Sequence, residues 1–321
     1  MKSWSWEQIL SKVEADDQNK WDCEDVAAGL VAYGDNESSV KLITEANAKE
    51  LDMTDHAFAQ VCGRLKIPPR YLRRVESRLQ AECLNFDLKQ VADDKKFLLR
   101  CKGNLLRGFL SDKYSKIENR DVLDIFQEIS QSMSHQVRSF HLDDRGCWMK
   151  ILVNDLRKWD PSNKSKELFV GLLLGNSEVG ARSVSVEPFV YRLACTNDMV
   201  IQTESVIRER HMYLTPAELK IRVAKGLNAA LETGGEVLDR FIGAHQEKVE
   251  KPGEVIMRIA RQRGISQKMT DQIRLSYEEE PEPTRFGVIN AFTRAAQTLE
   301  TDARVEMERL AGHLLEDRMA A

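Results

Sequence analysis

The chain lacks the long apolar run that a membrane helix needs. Its longest such run is Leu168–Leu174, whereas a membrane-spanning helix takes about 20 residues. The N-terminal sequence MKSWSWEQIL has no basic-then-apolar signal pattern. With 42% hydrophobic and 31% charged residues, the composition is typical of a globular protein. We therefore expect a cytoplasmic protein that does not bind membranes.

Metal-binding and catalytic motifs are also missing. The six cysteines form no CxxC pair and the six histidines are isolated, which excludes the usual zinc-ligand spacings and argues against a disulfide framework. No GxSxG, HExxH or strand-to-helix GxGxxG motif occurs. We therefore expect no cofactor and no resident metal, and a function other than catalysis.

One segment resembles a phosphate loop without being one. Gly175 and Gly180 are separated by four residues, but Ala181 follows where a Walker A loop has its lysine. That lysine neutralises the β- and γ-phosphates, and Arg182 comes one position too late to replace it. The spacing therefore excludes a phosphate-loop ATPase.

The residues that follow alternate like a strand. Arg182–Leu193 places every second side chain on the same face, and Pro188 indicates a bend or an edge position. Two interpretations stay open for Arg182 and Arg192. They are solvated or paired with nearby glutamates, or they lie on a polar sheet face that holds phosphates.

Charge is distributed unevenly along the chain. Residues 1–60 carry 5 Lys/Arg and 13 Asp/Glu, a net charge of −8, whereas residues 61–115 carry 13 and 6, a net charge of +7. Such asymmetry suggests an anionic partner for the basic part. The alternative is that the two segments pack against each other and neutralise their charges.

The most basic stretch is 64–78, RLKIPPRYLRRVESR. A helix beginning near Pro69 would place Arg70, Arg73 and Arg74 on one side, with Tyr71 beside them to stack on a base. The candidate nucleic-acid contacts in this stretch are Arg64, Lys66, Arg70, Tyr71, Arg73, Arg74 and Arg78. A solvated basic face, or contact with the acidic first sixty residues, is the alternative.

A β-hairpin is predicted next, with Gly103-Asn104 as its two-residue turn. Basic and aromatic residues alternate along it and suit a groove for a single-stranded backbone. The further candidate contacts here are Arg100, Lys102, Arg107, Lys113 and Tyr114.

The predicted fold class is α+β, with an antiparallel β-hairpin core, packed helices and a mostly helical C-terminal region. We divide the chain into an acidic N-terminal segment (1–53), an α+β core (54–214) and a helical region (215–321). Thr54 and Thr215 are expected helix caps, the latter with Pro216 in a capping box. Helix breaks are expected near Gly234-Gly235, Pro252-Gly253 and residues 278–283.

Three segments resemble the phage/plasmid-like proteins, catalogued as domain of unknown function 932. They are FAQVCGRLKIPPRYLRR, LLRGFLSDKYSKIEN and NSEVGARSVSVEPFVYRLACTNDMV, in the same order, and the similarity spans roughly residues 40–215. The family occurs in phages, prophages and conjugative plasmids, which implies a role in DNA metabolism. The hairpin-rich core is also similar to the RecT, Redβ and Erf single-strand-annealing proteins, an analogy of fold only.

These observations predict a protein that binds single-stranded DNA and anneals it without ATP in homologous recombination. It would act as a homo-oligomeric ring or filament, with residues 215–321 mediating self-association or binding a host replication or single-strand-binding protein. A non-enzymatic anti-restriction or regulatory factor is the alternative, in which the basic residues contact an acidic protein. A third hypothesis is a metal-dependent nuclease using Asp143, Asp144 or Glu178.

Overall fold

The computed structural model describes residues 3–34, 39–160, 163–192, 197–200, 207–212 and 215–316. Helices and two β-sheets are both present, which confirms the predicted α+β class. Two helix starts and one hairpin follow local signals in the sequence. Thr54 and Thr215 accept hydrogen bonds from Ala57 and Glu218 as N-caps, and Gly103 adopts φ +57° in the hairpin turn.

The strands are β1 (Lys20–Val26), β2 (Leu30–Tyr33), β3 (Lys41–Thr44), β4 (Lys49–Met53), β5 (Lys96–Lys102), β6 (Leu105–Ser111), β7 (His135–Asp143), β8 (Gly146–Asp160), β9 (Asn163–Asn176), β10 (Val184–Arg192), β11 (Asn197–Val200) and β12 (Ile207–Glu209). The helices are α1 (Trp6–Asp17), α2 (Asp55–Arg64), α3 (Pro69–Leu72), α4 (Ser77–Leu88), α5 (Asn119–Ser130), α6 (Pro216–Gly243), α7 (Pro252–Gln262), α8 (Gln267–Glu279), α9 (Arg285–Ala296) and α10 (Thr301–Glu316).

The first sheet has the order β1-β5-β6-β4-β3-β2. Its neighbouring strands are antiparallel except β4 and β6, which run parallel. Leu42, Leu51, Leu99 and Phe109 on this sheet pack with Leu84 of α4 in one buried cluster. The first 53 residues supply four of the six strands, so the boundary predicted at residues 53/54 falls inside one sheet.

The second sheet has the order β11-β10-β9-β8-β7, with β12 also paired to β10. Pro188 was expected at a bend or edge, yet β10 is an interior strand. β11 pairs with Phe189–Arg192 and β12 with Val184–Val186. Within the described residues Pro188 therefore lies between these two short partners, where a missing N–H is tolerated.

Helices cover both faces of the second sheet. Ile151 and Leu174 pack against α1, α5 and the first half of α6, whereas Trp148 and Phe189 pack on the other face with Val305 of α10. Further along α6, Val237 and Phe241 join α7 to α10 in the largest buried cluster. The C-terminal helices are thus packed onto the sheet.

One helix cap is formed by a glutamate, and one predicted helix break is not found. Helix α5 is capped by Glu118, whose side chain accepts a hydrogen bond from the third helical residue. The break expected at Gly234-Gly235 is absent, because α6 runs continuously from Pro216 to Gly243. At Gly234 a Cβ would lie 2.9 Å from a methyl group of Val170, so close packing on β9 explains this glycine.

Candidate functional site

A set of exposed cations surrounds the short helix α3. We call Arg64, Lys66, Arg70, Tyr71, Arg74 and Arg78 the basic surface; all six side chains are exposed, Tyr71 by 62%. Leu65 and Leu72, from the same stretch, are buried. The apolar residues thus anchor the segment to the first sheet's core, and the cations face solvent.

The backbone at Lys66 explains how α2 gives way to α3. Lys66 has φ +61°, its N–H donates to the carbonyl of Gly63, and the N–H of Ile67 donates to the carbonyl of Cys62. This is a Schellman ending, in which glycine is favoured because a side chain is strained at positive φ. A lysine here costs stability, and its ammonium group remains at the solvent-exposed C-terminus of α2.

Two arginines of the predicted set are partly committed to neighbours. Arg73 donates to Asp55 at 2.6 Å and lies 4.7 Å over the ring of Phe58. Arg78 pairs with Glu82 at 3.3 Å on α4 and stays 68% exposed. Among the described residues, no ion pair is found for Arg64, Lys66, Arg70 or Arg74.

The hairpin arginines do not form the predicted groove, and this corrects the sequence interpretation. Arg100 is 4% exposed and donates to Asp22, to Glu118 and to the carbonyl of Glu178. Arg107 is equally buried and donates to the Glu178 carboxylate at 2.7 Å. Both guanidinium groups are covered by the loop after β9, so neither contacts a nucleic acid in this structure.

Of the remaining hairpin residues, Lys102 and Tyr114 are engaged in contacts of their own. Lys102 pairs with Asp16 of α1 at 2.8 Å, as the packing of acidic on basic segments predicts. Tyr114 is no stacking platform, because its hydroxyl bonds to Ser177 and Gly180 and its ring stacks on His211. Lys113 is exposed, and no ion pair is found for it among the described residues.

Glu178, in the loop that follows β9, joins the two sheets. Its side chain is 0% exposed and accepts hydrogen bonds from Lys20, Arg107 and the N–H of Asn119. Burial by itself would raise the pKa of this carboxyl, but Lys20 and Arg107 outweigh it and lower the pKa to about 2. The segment that follows Gly175 thus connects the two sheets through a buried ion-pair junction.

Glu178 and Asp143, two of the candidate nuclease residues, are engaged in contacts of their own. Asp16, Asp17 and Glu178 come together as three carboxylates, but the ammonium group of Lys20 lies within 2.8 Å of all three. Asp143 accepts the N–H groups of Arg145 and Gly146, as an aspartate in a tight turn does. These contacts leave the nuclease hypothesis without support.

Arg182 and Arg192 lie in different surroundings. Arg192 is 3% exposed and pairs with Asp160 at 2.6 Å and Glu280 at 2.9 Å, so its predicted phosphate-holding role is wrong. Arg182 pairs with Asp302 at 2.6 Å and lines a cleft of about 390 Å³ between the second sheet and α10. The basic surface and this cleft are thus two of the places in the described part of the chain where several cationic side chains lie together.

The residues that complete the cleft were not predicted. Arg145 lies in the β7–β8 turn, Arg208 on β12, and Asp302 and Arg309 on α10. They come from three distant segments, and no local motif connects them. The alternation that placed Arg182 on a sheet face was the only signal toward this cleft in the sequence.

No family model, curated protein or solved structure matches this chain. The resemblance to phage/plasmid-like proteins therefore stays a prediction based on three sequence segments. Among the described residues, no helix is both long and apolar enough to cross a membrane.

Proposed function

We propose that this protein binds single-stranded DNA through the basic surface. The observation that carries the proposal is the exposure of Arg64, Lys66, Arg70 and Arg74 with no ion pair among the described residues. Phosphates supply the countercharge that these side chains lack. Counterion release on neutralising phosphates is the main source of affinity for such surfaces.

Tyr71 favours a single strand over a duplex as the ligand. Its ring is 62% exposed, and in sequence Tyr71 directly follows Arg70 and precedes Arg74 and Arg78. An exposed aromatic ring among cations stacks on an unpaired base with little sequence preference. The bases of a duplex are already stacked on each other and offer no such face.

The wider proposal is that the protein anneals complementary strands in phage or plasmid recombination, in the cytoplasm, as a homo-oligomer. The resemblance to phage/plasmid-like proteins supports this part, whereas the basic surface supports binding alone. The C-terminal helices would then serve self-association or contact with a host replication protein. The hairpin contributes no DNA contact through its two buried arginines, so a bound strand would follow α2 to α4.

Fluorescence anisotropy with a labelled 30-nucleotide strand tests the binding proposal. We expect Arg70→Glu plus Arg74→Glu to weaken binding about tenfold or more at 0.1 M salt, since two attractive contacts become repulsive. The matched control is Arg261→Glu plus Lys268→Glu, which makes the same change of charge at two exposed sites on α7 and α8. Equal losses in both double variants would show that only net charge matters and would remove the basic surface from the proposal.

Annealing is measured separately, from the rate at which two complementary oligonucleotides pair without ATP or metal. Acceleration that is lost in the Arg70→Glu plus Arg74→Glu variant supports the wider proposal. Binding without acceleration would leave a single-strand-binding protein and contradict annealing.

An acidic protein partner is the second candidate function. Leu79 and Phe86 on α4 are 40% and 67% exposed, and their spacing of seven places them on one helix face. Exposed apolar residues beside cations suit contact with an acidic partner protein. In this case the protein would be an anti-restriction or regulatory factor. Under this alternative a single strand would not compete with the partner, and Phe86→Ser would weaken the protein complex while leaving DNA affinity unchanged.

A further inference from the structure

The cleft beside α10 is lined by four arginines. Arg145, Arg182, Arg208 and Arg309 surround it, together with Trp148, Ala181, Ser183, Ser185, Asp302, Ala303 and Glu306. It lies where the β7–β8 turn and the loop before β10 meet the first turn of α10. None of these residues belongs to the basic surface, so ligand binding in this cleft does not depend on the proposed DNA binding.

Carboxylates neutralise only part of the positive charge of these four arginines. Asp302 pairs with Arg145 and Arg182, and the buried Glu187 pairs with Arg208 and Arg309. Glu306 adds a further contact with Arg309. Four guanidinium groups carry five N–H donors each, more than three carboxylates accept. The cleft therefore has surplus donors, which suits an anion and not a cation.

Two buried polar atoms show where this surplus lies. The Arg182 side chain is 9% exposed, and its Nη1 has no hydrogen-bond partner among the described residues. Ser185 is 2% exposed and its Oγ is likewise without a partner in the described part of the chain. Both atoms belong to residues that line the cleft, and buried donors normally find an acceptor.

The size and lining of the cleft indicate which class of ligand it can bind. The guanidinium groups of Arg182 and Arg309 lie 4.7 Å and 5.4 Å from the centre of the Trp148 ring, so arginines already occupy this aromatic surface. A volume of about 390 Å³ exceeds that of a bare phosphate and falls within the range of small-molecule sites. The 16-residue helix α10 also begins here, and its N-terminus favours negative charge.

We propose that this cleft binds the phosphate group of a small phosphate monoester. The phosphate oxygens would accept from Arg145, Arg182 and Arg208, with Ser185 as a further donor, and the rest of the ligand would fill the open side toward α10. Arginine suits this role because its planar donors bind phosphate oxygens in pairs.

The competing interpretation is that these ion pairs only fasten α10 to the second sheet. Trp148 donates its Nε1–H to Asp302 at 2.8 Å, and Arg309 reaches across to the buried Glu187. Such a network would stabilise the fold without any ligand. A measurement of ligand binding separates the two interpretations, because a purely structural network takes up no phosphate.

Isothermal titration calorimetry on the full chain, with adenosine 5′-monophosphate, glucose 6-phosphate and inorganic phosphate as probes, tests the proposal. We expect saturable binding of the two monoesters. Arg145→Gln plus Arg208→Gln should weaken it about tenfold or more, because two charge-assisted hydrogen bonds are lost. Both side chains are nearly half exposed, so circular dichroism should show a folded variant. Arg157→Gln is the control, since Arg157 is 56% exposed, pairs with Glu167 and does not line the cleft.

Ser185→Ala is a second variant that removes one donor with a minimal change of volume. It should reduce the affinity for the monoesters even if the double arginine variant fails to fold. Similar affinities for both esters would show recognition of the phosphate alone, whereas tighter binding of adenosine 5′-monophosphate would add the nucleoside to the site. Absence of saturable binding by the wild-type protein at millimolar probe, or affinities unchanged by the substitutions, would overturn the proposal.

Discussion

The Nζ atom of Lys20 lies 2.8 Å from Oε2 of Glu178. Lys20 begins β1 of the first sheet, and Glu178 follows β9 of the second. The same carboxylate accepts from Arg107 on β6 and from the backbone N–H of Asn119 at the start of α5. One buried carboxylate thus connects both sheets and a helix, and its partners satisfy the hydrogen-bonding capacity that burial would otherwise leave unmet.

Glu178→Gln should strongly destabilise the protein. The amide keeps the shape of the side chain but leaves the buried Arg107 without its carboxylate partner, whereas Lys20 keeps Asp16 and Asp17. Removing one member of a buried ion pair typically costs about 3 to 5 kcal/mol. Urea unfolding followed by circular dichroism measures the loss, and Glu232→Gln on the exposed side of α6 is the control. A difference below about 1 kcal/mol between these two variants would show that the junction is not important for stability.

His211 should make the protein less stable in mild acid. Burial, with a smaller effect of the nearby Arg100, lowers the pKa of His211 from 6.5 to about 4. The unfolded chain therefore binds a proton that the folded protein rejects, so the free energy of unfolding falls as pH drops from 6.5 towards 4. Between pH 7 and pH 5 this amounts to about 1 to 2 kcal/mol.

The variant His211→Phe tests this pH dependence, because it keeps a ring to stack on Tyr114 and removes the titrating group. Its free energy of unfolding, measured in urea at pH 7 and pH 5, should change by less than that of the wild-type protein. The same change in both proteins would assign the acid sensitivity to other residues.

Local signals in the sequence predicted individual elements well, because they act over a few residues. The cap at Thr54, the Gly103-Asn104 turn and the Thr215-Pro216 capping box each satisfy backbone groups within four positions, and all three are confirmed. The assembly of the first sheet was not predicted. Its β1 strand pairs with β5, which lies far away in sequence. The residue pattern of a strand does not show which other strand it pairs with.

The site predictions divide in the same way. Arg70 and Arg74 are both exposed, but the helix predicted to hold them on one side ends at Leu72. Arg100 alternates correctly on its strand, but alternation cannot show that Asp22 and Glu118 will cover that face. A cation in a strand is thus accessible only if no distant segment supplies a carboxylate. This information lies in the tertiary structure and not in the local pattern.

The two adjacent glycines of α6 should respond in opposite ways to alanine. At Gly235 a Cβ meets nothing within 4 Å, so Gly235→Ala should stabilise the helix by about 0.5 to 1 kcal/mol through the lower entropy of the unfolded chain. At Gly234 the new methyl group would lie 2.9 Å from Val170, and the resulting repulsion should cancel or exceed that gain. Thermal unfolding of the two single variants checks this order. A larger gain for Gly234→Ala would contradict the close packing of α6 on β9.

Replacing Lys66 by glycine should raise the stability of the protein and weaken its binding to DNA. With φ +61° its side chain is strained, so Lys66→Gly should stabilise the protein by up to about 1 kcal/mol. The same change removes one cation from the basic surface. If Lys66 contacts a phosphate, the slope of log affinity against log salt concentration should become shallower by about 0.7.

Lys89→Gly is the matched control for this pair of effects. Lys89 is also exposed at the end of a helix, but its φ is −67°, so glycine brings no relief of strain and should cost stability of about 0.5 to 1 kcal/mol. It lies outside the basic surface, and DNA affinity should not change. Urea unfolding and anisotropy titrations at several salt concentrations give both quantities for each variant. Because solvation alone would leave the salt dependence of Lys66→Gly equal to that of the wild type, a shallower slope together with higher stability indicates that this strained lysine is retained for contact with an anion.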